Sequence, residues 1–451
     1  MAKAGGAPGQ TRKPAGAVGI REFSQLMRQT GLAAKSVAPS GIAVAVSGGA
    51  DSMALVLLLA RWAAKADVPL HALTVDHGLR KGSLAEARKV GRFLKARNIR
   101  HHVLRWQGGK PETNIQAAAR EARYDLMLSW CSKKDIGDLF LAHHQDDQAE
   151  TVLLRLIRGS GVDGLSAMSP VVERDGVRLV RPLLQVPADR LKATCRKFGQ
   201  EWIEDPSNQN PAFDRVIVRN MLDGLKPLGL DAGRLARTAD HLSRARRALD
   251  QATDDQADSL VEWDEFGQVT LDRKAFRKLP DEIALRLLNR CLMSAGSGDW
   301  PPRFERLERL WTALRQSSPE GRVTLAGCLV MPDTDTVRFV RENRNLPIVS
   351  ITGSAEFLWD NRFKVIPKGL RKGSGQDLTI GPLGANGWQY LKDQKAREAI
   401  REELVSLPVA ARQTLPALWS KETLIAFPWA DFGQKSGTIT LSATFCSRIR
   451  P

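Results

Sequence analysis

The sequence predicts an α/β N-terminal domain built on a parallel sheet, followed by a helical domain and a small α+β domain. Three observations carry this reading. From Gly41 to about Leu154, short apolar runs alternate with longer amphipathic stretches, the signature of βα units feeding a parallel sheet. After the turn-rich segment Asp205 to Asn210 that alternation fades into helical periodicity. From about Arg322 onward, short strand-like runs return, now separated by Gly, Pro and Asn.

Taken in order, Ile42 to Val46, Leu70 to Val75, Ile99 to Trp106 and Leu139 to Ala142 read as strands. Ser83 with Glu86 has the spacing of a capping box opening the helix after the second strand. Gly233 to Leu260, Glu282 to Ser294 and Arg303 to Arg315 read as amphipathic helices, and RVTLAGCLV, TVRFV and FKVIP as strands. The expected divisions are a disordered basic tail over 1–20, the α/β domain over 21–225, the helical domain over 226–320 and the α+β domain over 321–451. A chain of 451 residues suits about three domains.

Composition narrows the function class. Hydrophobic residues at 43% and charged residues at 26% exclude a wholly disordered chain. The net charge of +17 favours a polyanionic partner. The cysteines Cys131, Cys195, Cys291, Cys328 and Cys446 form no CxxC pair, so neither a disulfide framework nor a paired-cysteine metal site is expected, and a reducing cytoplasm fits. The longest strongly apolar run, Met53 to Ala60, is far short of a bilayer span, and the basic first 20 residues lack the apolar centre of a secretory signal. No membrane partner is expected.

The chemistry concentrates after the strands. Ser47, Gly48, Gly49, Ala50, Asp51 and Ser52 lie between the first strand and a helix beginning near Met53. Such a turn aims successive backbone N–H groups at an anion, at the positive end of a helix. It is not a Walker A loop, having no GK[ST]. A carboxylate beside a phosphate is repelled unless a cation lies between, so Asp51 implies Mg²⁺. Asp76, at the end of the second strand, is a further ligand candidate, whereas His77 reads as a turn histidine. After the fourth strand comes His143-His144-Gln145-Asp146-Asp147-Gln148-Ala149-Glu150. On a helix from Gln145, Asp146 and Glu150 are four apart and Asp147 and Glu150 three apart, so these like charges either call for a cation, Mg²⁺ or an ammonium substrate, or serve to stabilise the helix N-terminus through its macrodipole. His71, His101, His102 and His241 carry no assigned role. The arginines from Arg155 to Arg219 suit either a solvated face or a phosphate-tracking surface.

In their order, SGGADS (47–52), VDHGLR (75–80), NIQAAAREARY (114–124), LAHHQDDQAET (141–151), RGSGVDGLSAM (158–168), RPLL (181–184) and DPSNQNPAFDRVIVR (205–219) resemble the tRNA(Ile)-lysidine synthetase family of N-type ATP pyrophosphatases. The resemblance covers about Gly41 to Asn220 and implies a PP-loop, adenine nucleotide alpha hydrolase-like domain. It implies a ligase that uses ATP to adenylate the wobble cytidine of an isoleucine tRNA with a CAU anticodon. Free L-lysine then displaces AMP. By this analogy Ser47 to Ser52 hold the ATP phosphates with Asp51 at Mg²⁺, Asp146, Asp147 and Glu150 form the lysine and metal environment, His143 lies close by, and Arg120 faces the nucleotide. Gln145 departs from the family, where a small residue is common, and the region beyond Asn220 matches loosely. A homodimer is left open. Another PP-loop enzyme, such as a tRNA cytidine thiolase, and a non-catalytic RNA-binding protein are the competing readings. The thiolase reading lacks its usual CxxC pairs here.

Overall fold

The structure, a computed structural model, describes residues 16–32, 37–79, 82–108, 111, 113, 115–204, 214–298, 300–316, 321–370, 377–393, 401–430 and 439–446. The expected tail up to residue 15 and the turn at 205–210 lie outside them. The chain divides into two compact units, Met1–Arg246 and Arg247–Pro451.

In the first unit the described residues form a sheet from β1 (Ile42–Ala45), β2 (Leu70–Asp76), β3 (Arg100–Arg105), β4 (Asp138–Phe140), β5 (Val171–Arg174) and β6 (Val177–Val180). Their order is β3-β2-β1-β4-β6-β5, parallel throughout except for the β5–β6 pair. The four expected strands are present with ends shifted by one or two residues. The β5–β6 hairpin is an addition. Its turn, Asp175 and Gly176, has φ of 51° and 74°, the paired positive values of a tight hairpin.

The helices are α1 (Ile20–Gln29), α2 (Ala50–Ala66), α3 (Ser83–Lys95), α4 (Ile115–Lys133), α5 (Gln145–Ile157), α6 (Val162–Leu165), α7 (Ala188–Lys197), α8 (Asp214–Leu225) and α9 (Ala232–Leu260). Alternation along β1 sends Ile42 and Val44 into one core with α2, and Ala43 into another with Tyr124, Met127 and Leu128 of α4. Because α1, α3 and α7 also cover it, α2 is buried almost all round, which is why Met53 to Leu59 is a continuous apolar run. Bidentate contacts from Arg190 of α7 to Glu22 of α1, at 2.6 and 2.7 Å, fasten the first helix. A smaller core joins α5, α8 and the first turns of α9 through Val152, Val218, Leu222, Leu235 and Ala239.

Strand order fixes where a ligand goes. The chain leaves β1 toward β2 and β3 on one side, then returns to place β4 on the other. The crevice at the carboxyl ends of β1 and β4 is therefore the switch point at which open parallel sheets bind ligands.

In the second unit, β7 (Val261–Trp263), β8 (Val269–Asp272), β9 (Val323–Leu325), β10 (Cys328–Pro332) and β11 (Thr336–Arg341) form an antiparallel sheet, order β7-β8-β11-β10-β9. Beside α10 (Arg273–Phe276), α11 (Asp281–Ala295) and α12 (Phe304–Arg315) pack Leu288, Leu292 and Trp311 against Leu271, Val330 and Phe339. The stretch expected to be helical over 226–320 thus also holds two strands. At three and four residues they show too few alternations to register as a pattern.

Two further sheets follow. One contains β12 (Val349–Ile351), β15 (Leu378–Pro382), β16 (Pro416–Ser420) and β17 (Thr423–Ala426). The other contains β13 (Phe357–Trp359), β14 (Phe363–Lys368) and β18 (Thr440–Phe445). With α13 (Gly384–Asp393), α14 (Glu402–Ser406) and α15 (Val409–Gln413), they enclose Trp359, Phe363, Leu391 and Leu418. The buried carboxylate of Asp360 meets Arg362 at 2.8 Å and Arg341 at 3.1 Å.

Candidate active site

The turn from β1 into α2 is built by its own hydroxyls. Ser47 and Gly48 each donate their backbone N–H to Ser52 Oγ at 3.2 Å, and Ser52 Oγ donates to the Gly49 carbonyl at 3.0 Å. Ser47 Oγ lies 3.2 Å from Ser52 Oγ. One side chain thereby gathers the loop amides around a single point. Gly48 has φ of 94°, and a Cβ there would come within 2.8 Å of Val90 Cγ2 and 3.1 Å of Ile203 Cδ1. Both conformation and space require glycine. Gly49 caps α2, Ala50 is buried, and Asp51 stands in the first turn with its side chain 39% exposed.

The opposite lip is the β4–α5 junction, where the helix begins at Gln145 as expected. His144, which sequence reasoning passed over in favour of its neighbour, is the hub. Its Nε2 lies 3.5 Å from both Asp51 Oδ2 and Asp147 Oδ2, and its Nδ1 lies 3.6 Å from Asp146 Oδ2. Burial alone would lower its pKa, but Asp146, Asp51 and Asp147 together lift it to about 10. Asp147 also accepts the His144 backbone N–H at 3.0 Å, and Asp146 accepts that of Ala188, the first residue of α7, at 2.9 Å. Burial opposes ionisation of Asp146, yet contacts with His144 and the Ala188 amide hold its pKa below the ordinary value.

His143 is held differently. Burial pushes its pKa down to about 3, with Asp147 opposing and Arg181, Arg120 and Arg215 adding to the fall. Its imidazole is uncharged at neutral pH, and Nδ1 is buried with no hydrogen-bond partner.

The acidic spacing expected to share one cation is divided among several. Glu150, 1% exposed, is claimed by Arg219 of α8 at 2.6 Å, and Asp147 by Arg215 at 3.9 Å. Burial raises the Glu150 pKa against the pull of Arg219. Asp76 is buried at the end of β2, where its Oδ1 accepts Ser83 Oγ at 2.6 Å and the Gly78 N–H at 3.0 Å. The Ser83 hydrogen bond is the leading cause of its lowered pKa. The expected capping box at Ser83 is therefore corrected. Gly82 caps α3, and the serine hydroxyl is spent on Asp76. Arg120 is exposed on α4, its guanidinium 5.5 Å from the Tyr124 ring.

Asp51, Asp146, Asp147, His143 and His144 therefore meet the glycine turn at one sheet edge. Glu150 lies beneath them on Arg219, while Asp76 and Arg120 belong to neighbouring elements. Among the described residues no group of three or more His, Cys, Asp or Glu is arranged to hold a metal. Mg²⁺ requires no such group, because it takes one or two carboxylates and fills its other positions with phosphate oxygens and water. Asp51, an exposed hard-oxygen donor one residue beyond the first of α2, fits that role. Among the described residues no helix is long and apolar enough to cross a membrane.

A parallel sheet with an SGGADS turn at its switch point defines a PP-loop enzyme, and a family described as the PP-loop domain matches residues 20–224. The chain is 41% identical over 87% of its length to a tRNA(Ile)-lysidine synthase of Ruegeria pomeroyi, covering 89% of that protein. It is 34% identical over 88% of its length to one of Wolbachia pipientis, covering 90% of that protein. The chain belongs to the tRNA(Ile)-lysidine synthase family. Among solved structures, it is similar to the U34-tRNA thiolase NcsA of Methanococcus maripaludis, with 19% identity, a TM-score of 0.42, and coverage of 49% of this chain and 79% of that one.

Proposed function

We propose that the chain ligates free L-lysine to the wobble cytidine of an isoleucine tRNA bearing a CAU anticodon, consuming ATP and releasing pyrophosphate and AMP. The observation that carries this reading is the junction of Asp51 and His144 at 3.5 Å, which joins the SGGADS turn to the acid-rich start of α5. Family membership supplies the substrate class, and the net charge of +17 suits an RNA.

In the first step the cytidine ring oxygen attacks the α-phosphorus of ATP, and the bond to pyrophosphate breaks with its electron pair on the leaving group. The amino end of α2, which follows the turn, suits the negative charge that grows on the leaving group. Mg²⁺, when bound, neutralises part of the same charge, and Asp51 would hold it. In the second step the lysine ε-nitrogen attacks the activated ring carbon and AMP departs with the C–O bonding pair. The amine must be uncharged to attack. The depressed pKa of His143 makes that imidazole a weak proton acceptor, and Asp146 is engaged by the Ala188 amide and by the charge on His144, so the proton leaves the amine before it meets the activated ring. The anticodon loop suits this chemistry because an unpaired base leaves its stack at small cost.

The test is incubation with Mg-ATP, labelled lysine and an unmodified isoleucine tRNA transcript bearing CAU, with Asp51→Ala as control. The reading expects label in RNA only with the unsubstituted enzyme and ATP, with AMP formed in equal amount. RNA binding without label excludes it and leaves thiolation or simple binding to be examined.

A further inference from the structure

Beside the crevice lies a set of guanidiniums, three of which have no counter-charge among the described residues. Arg120 and Arg123 of α4 stand 5.5 and 5.8 Å from the Tyr124 ring centre. Arg181, just after β6, feels the Tyr124 side chain electrostatically and depresses the pKa of His143 together with Arg120 and Arg215. Arg174, against the same ring, is neutralised by Glu121 and by Asp125. Arg215 has Asp147. Among the described residues no carboxylate pairs with Arg120, Arg123 or Arg181.

Arg181 is the most constrained of the three. Only 9% of it is exposed, Nη1 donates to the Ser169 carbonyl at 3.1 Å, and Nε is buried with no partner. Buried charges in proteins are ordinarily paired, since a desolvated cation with an unused donor is costly. Burial and its neighbours also hold the Arg123 and Arg181 guanidiniums below their ordinary pKa, the mark of cations crowded together. An arriving anion would complete such an arrangement.

We propose that Arg123 and Arg181, with Tyr124 and Arg120, form a second anion site that binds a phosphate group of the RNA substrate next to the nucleotide being modified. The assignment of RNA rather than ATP rests on placement and on the tRNA reading above. The ATP turn follows β1, while Arg181 follows β6, two strand positions away in the order β1-β4-β6, which is about 10 Å at ordinary strand spacing. Planar guanidiniums with several donors suit a phosphodiester, whose non-bridging oxygens take bidentate bonds.

Arg181→Gln and Arg123→Gln, in the full chain, test this. The probes are the CAU tRNA transcript and an unrelated stem-loop RNA, since a backbone contact ignores sequence. Each variant is expected to bind both RNAs at least 10-fold more weakly. The slope of log affinity against log salt should fall by about 0.7, the value for one lost phosphate contact on a single strand. The KM for ATP should stay within twofold, and melting temperature should hold or rise because an unpaired buried cation is gone. A raised KM for ATP with unchanged RNA affinity assigns the site to nucleotide phosphates and overturns the proposal. A raised KM for lysine alone assigns it to the amino-acid carboxylate and overturns the proposal equally. A lowered melting temperature with unaltered RNA binding makes the arginines structural. Enzyme that binds RNA through these residues yet incorporates no lysine refutes the lysidine reading and leaves the anion site standing.

Discussion

Arg219 places both Nε and Nη2 on a single oxygen of Glu150, Oε1, at 2.9 and 2.6 Å, and leaves Oε2 buried with no partner. The pair joins α8 to α5 directly beneath Asp147. Breaking a fully buried pair from one side costs about 3–5 kcal/mol, but Arg219 is half exposed, so Arg219→Ala is expected to cost about 1–3 kcal/mol. Glu150→Gln, which removes the charge that needs a partner, should cost less. Urea denaturation of both variants checks the order, and a larger loss for Glu150→Gln contradicts it.

Gly48→Ala should damage the phosphate turn specifically. The residue would have to leave a φ of 94°, and its methyl would press Val90 and Ile203. Strain of this kind is worth about 1–3 kcal/mol. Nucleotide affinity measured by calorimetry should drop at least 10-fold, while RNA binding persists. Unaltered affinity would show that the loop tolerates the methyl and that the amides are not the phosphate ligands.

Acid should weaken the first unit through the β2–β3 histidines. His71 Nδ1 lies 3.3 Å from His102 Nε2, and His101 Nε2 lies 2.8 Å from Thr74 Oγ1. Burial is the leading cause of a lowered pKa for all three, reinforced by His102, Arg100 and Lys134 at His71, by His102 at His101, and by Lys134 and Arg100 at His102. A folded pKa below the unfolded one means that the unfolded chain binds more protons. The stabilisation is complete above the unfolded value near 6.5 and is lost as pH falls through the folded values. Melting temperature should decline below about pH 6.5, less steeply in a His71→Gln/His102→Gln double variant, while the decline toward pH 10 that follows from the raised pKa of His144 should be the same in both proteins. A curve flat down to pH 5 is the contrary result.

In the second unit, Asp360 is the only carboxylate, among the described residues, paired with the buried Arg341 and Arg362. Asp360→Ala strands two desolvated cations. The expected loss is about 3–5 kcal/mol, read by denaturant midpoint. A stability within about 0.5 kcal/mol of the parent, on the scale of ordinary surface substitutions, counts against the triad.

The parallel sheet was legible because its strands are apolar runs set in βα spacing, and the glycine turn because its chemistry is local. The hairpin Val171–Val180 carried a readable signal in Asp175-Gly176 that strand-by-strand reading passed over. Other features needed three dimensions. Nothing in HHQDD distinguishes the histidine that three carboxylates surround from the one that arginines surround, since Asp51 and Arg181 are distant in sequence from both. Likewise, the helical pattern of α5 shows its acids on one face, but not that α7 claims Asp146 and α8 claims Glu150. Pairing partners that arrive from distant elements leave no periodicity.

The outermost strands of the first sheet have a bearing on how the protein behaves in concentrated solution. An unpaired strand edge is a template for association with another chain. Here β3 carries Arg100 and Arg105 at its two ends, and β5 carries Glu173 and Arg174, with Arg174 drawn onto α4 by Glu121 and Asp125. Any chain adding to either side would have to desolvate those charges. The sheet is thus shielded against growth by edge-to-edge stacking, and a neutral substitution at Arg100 would remove a safeguard against aggregation without touching the crevice.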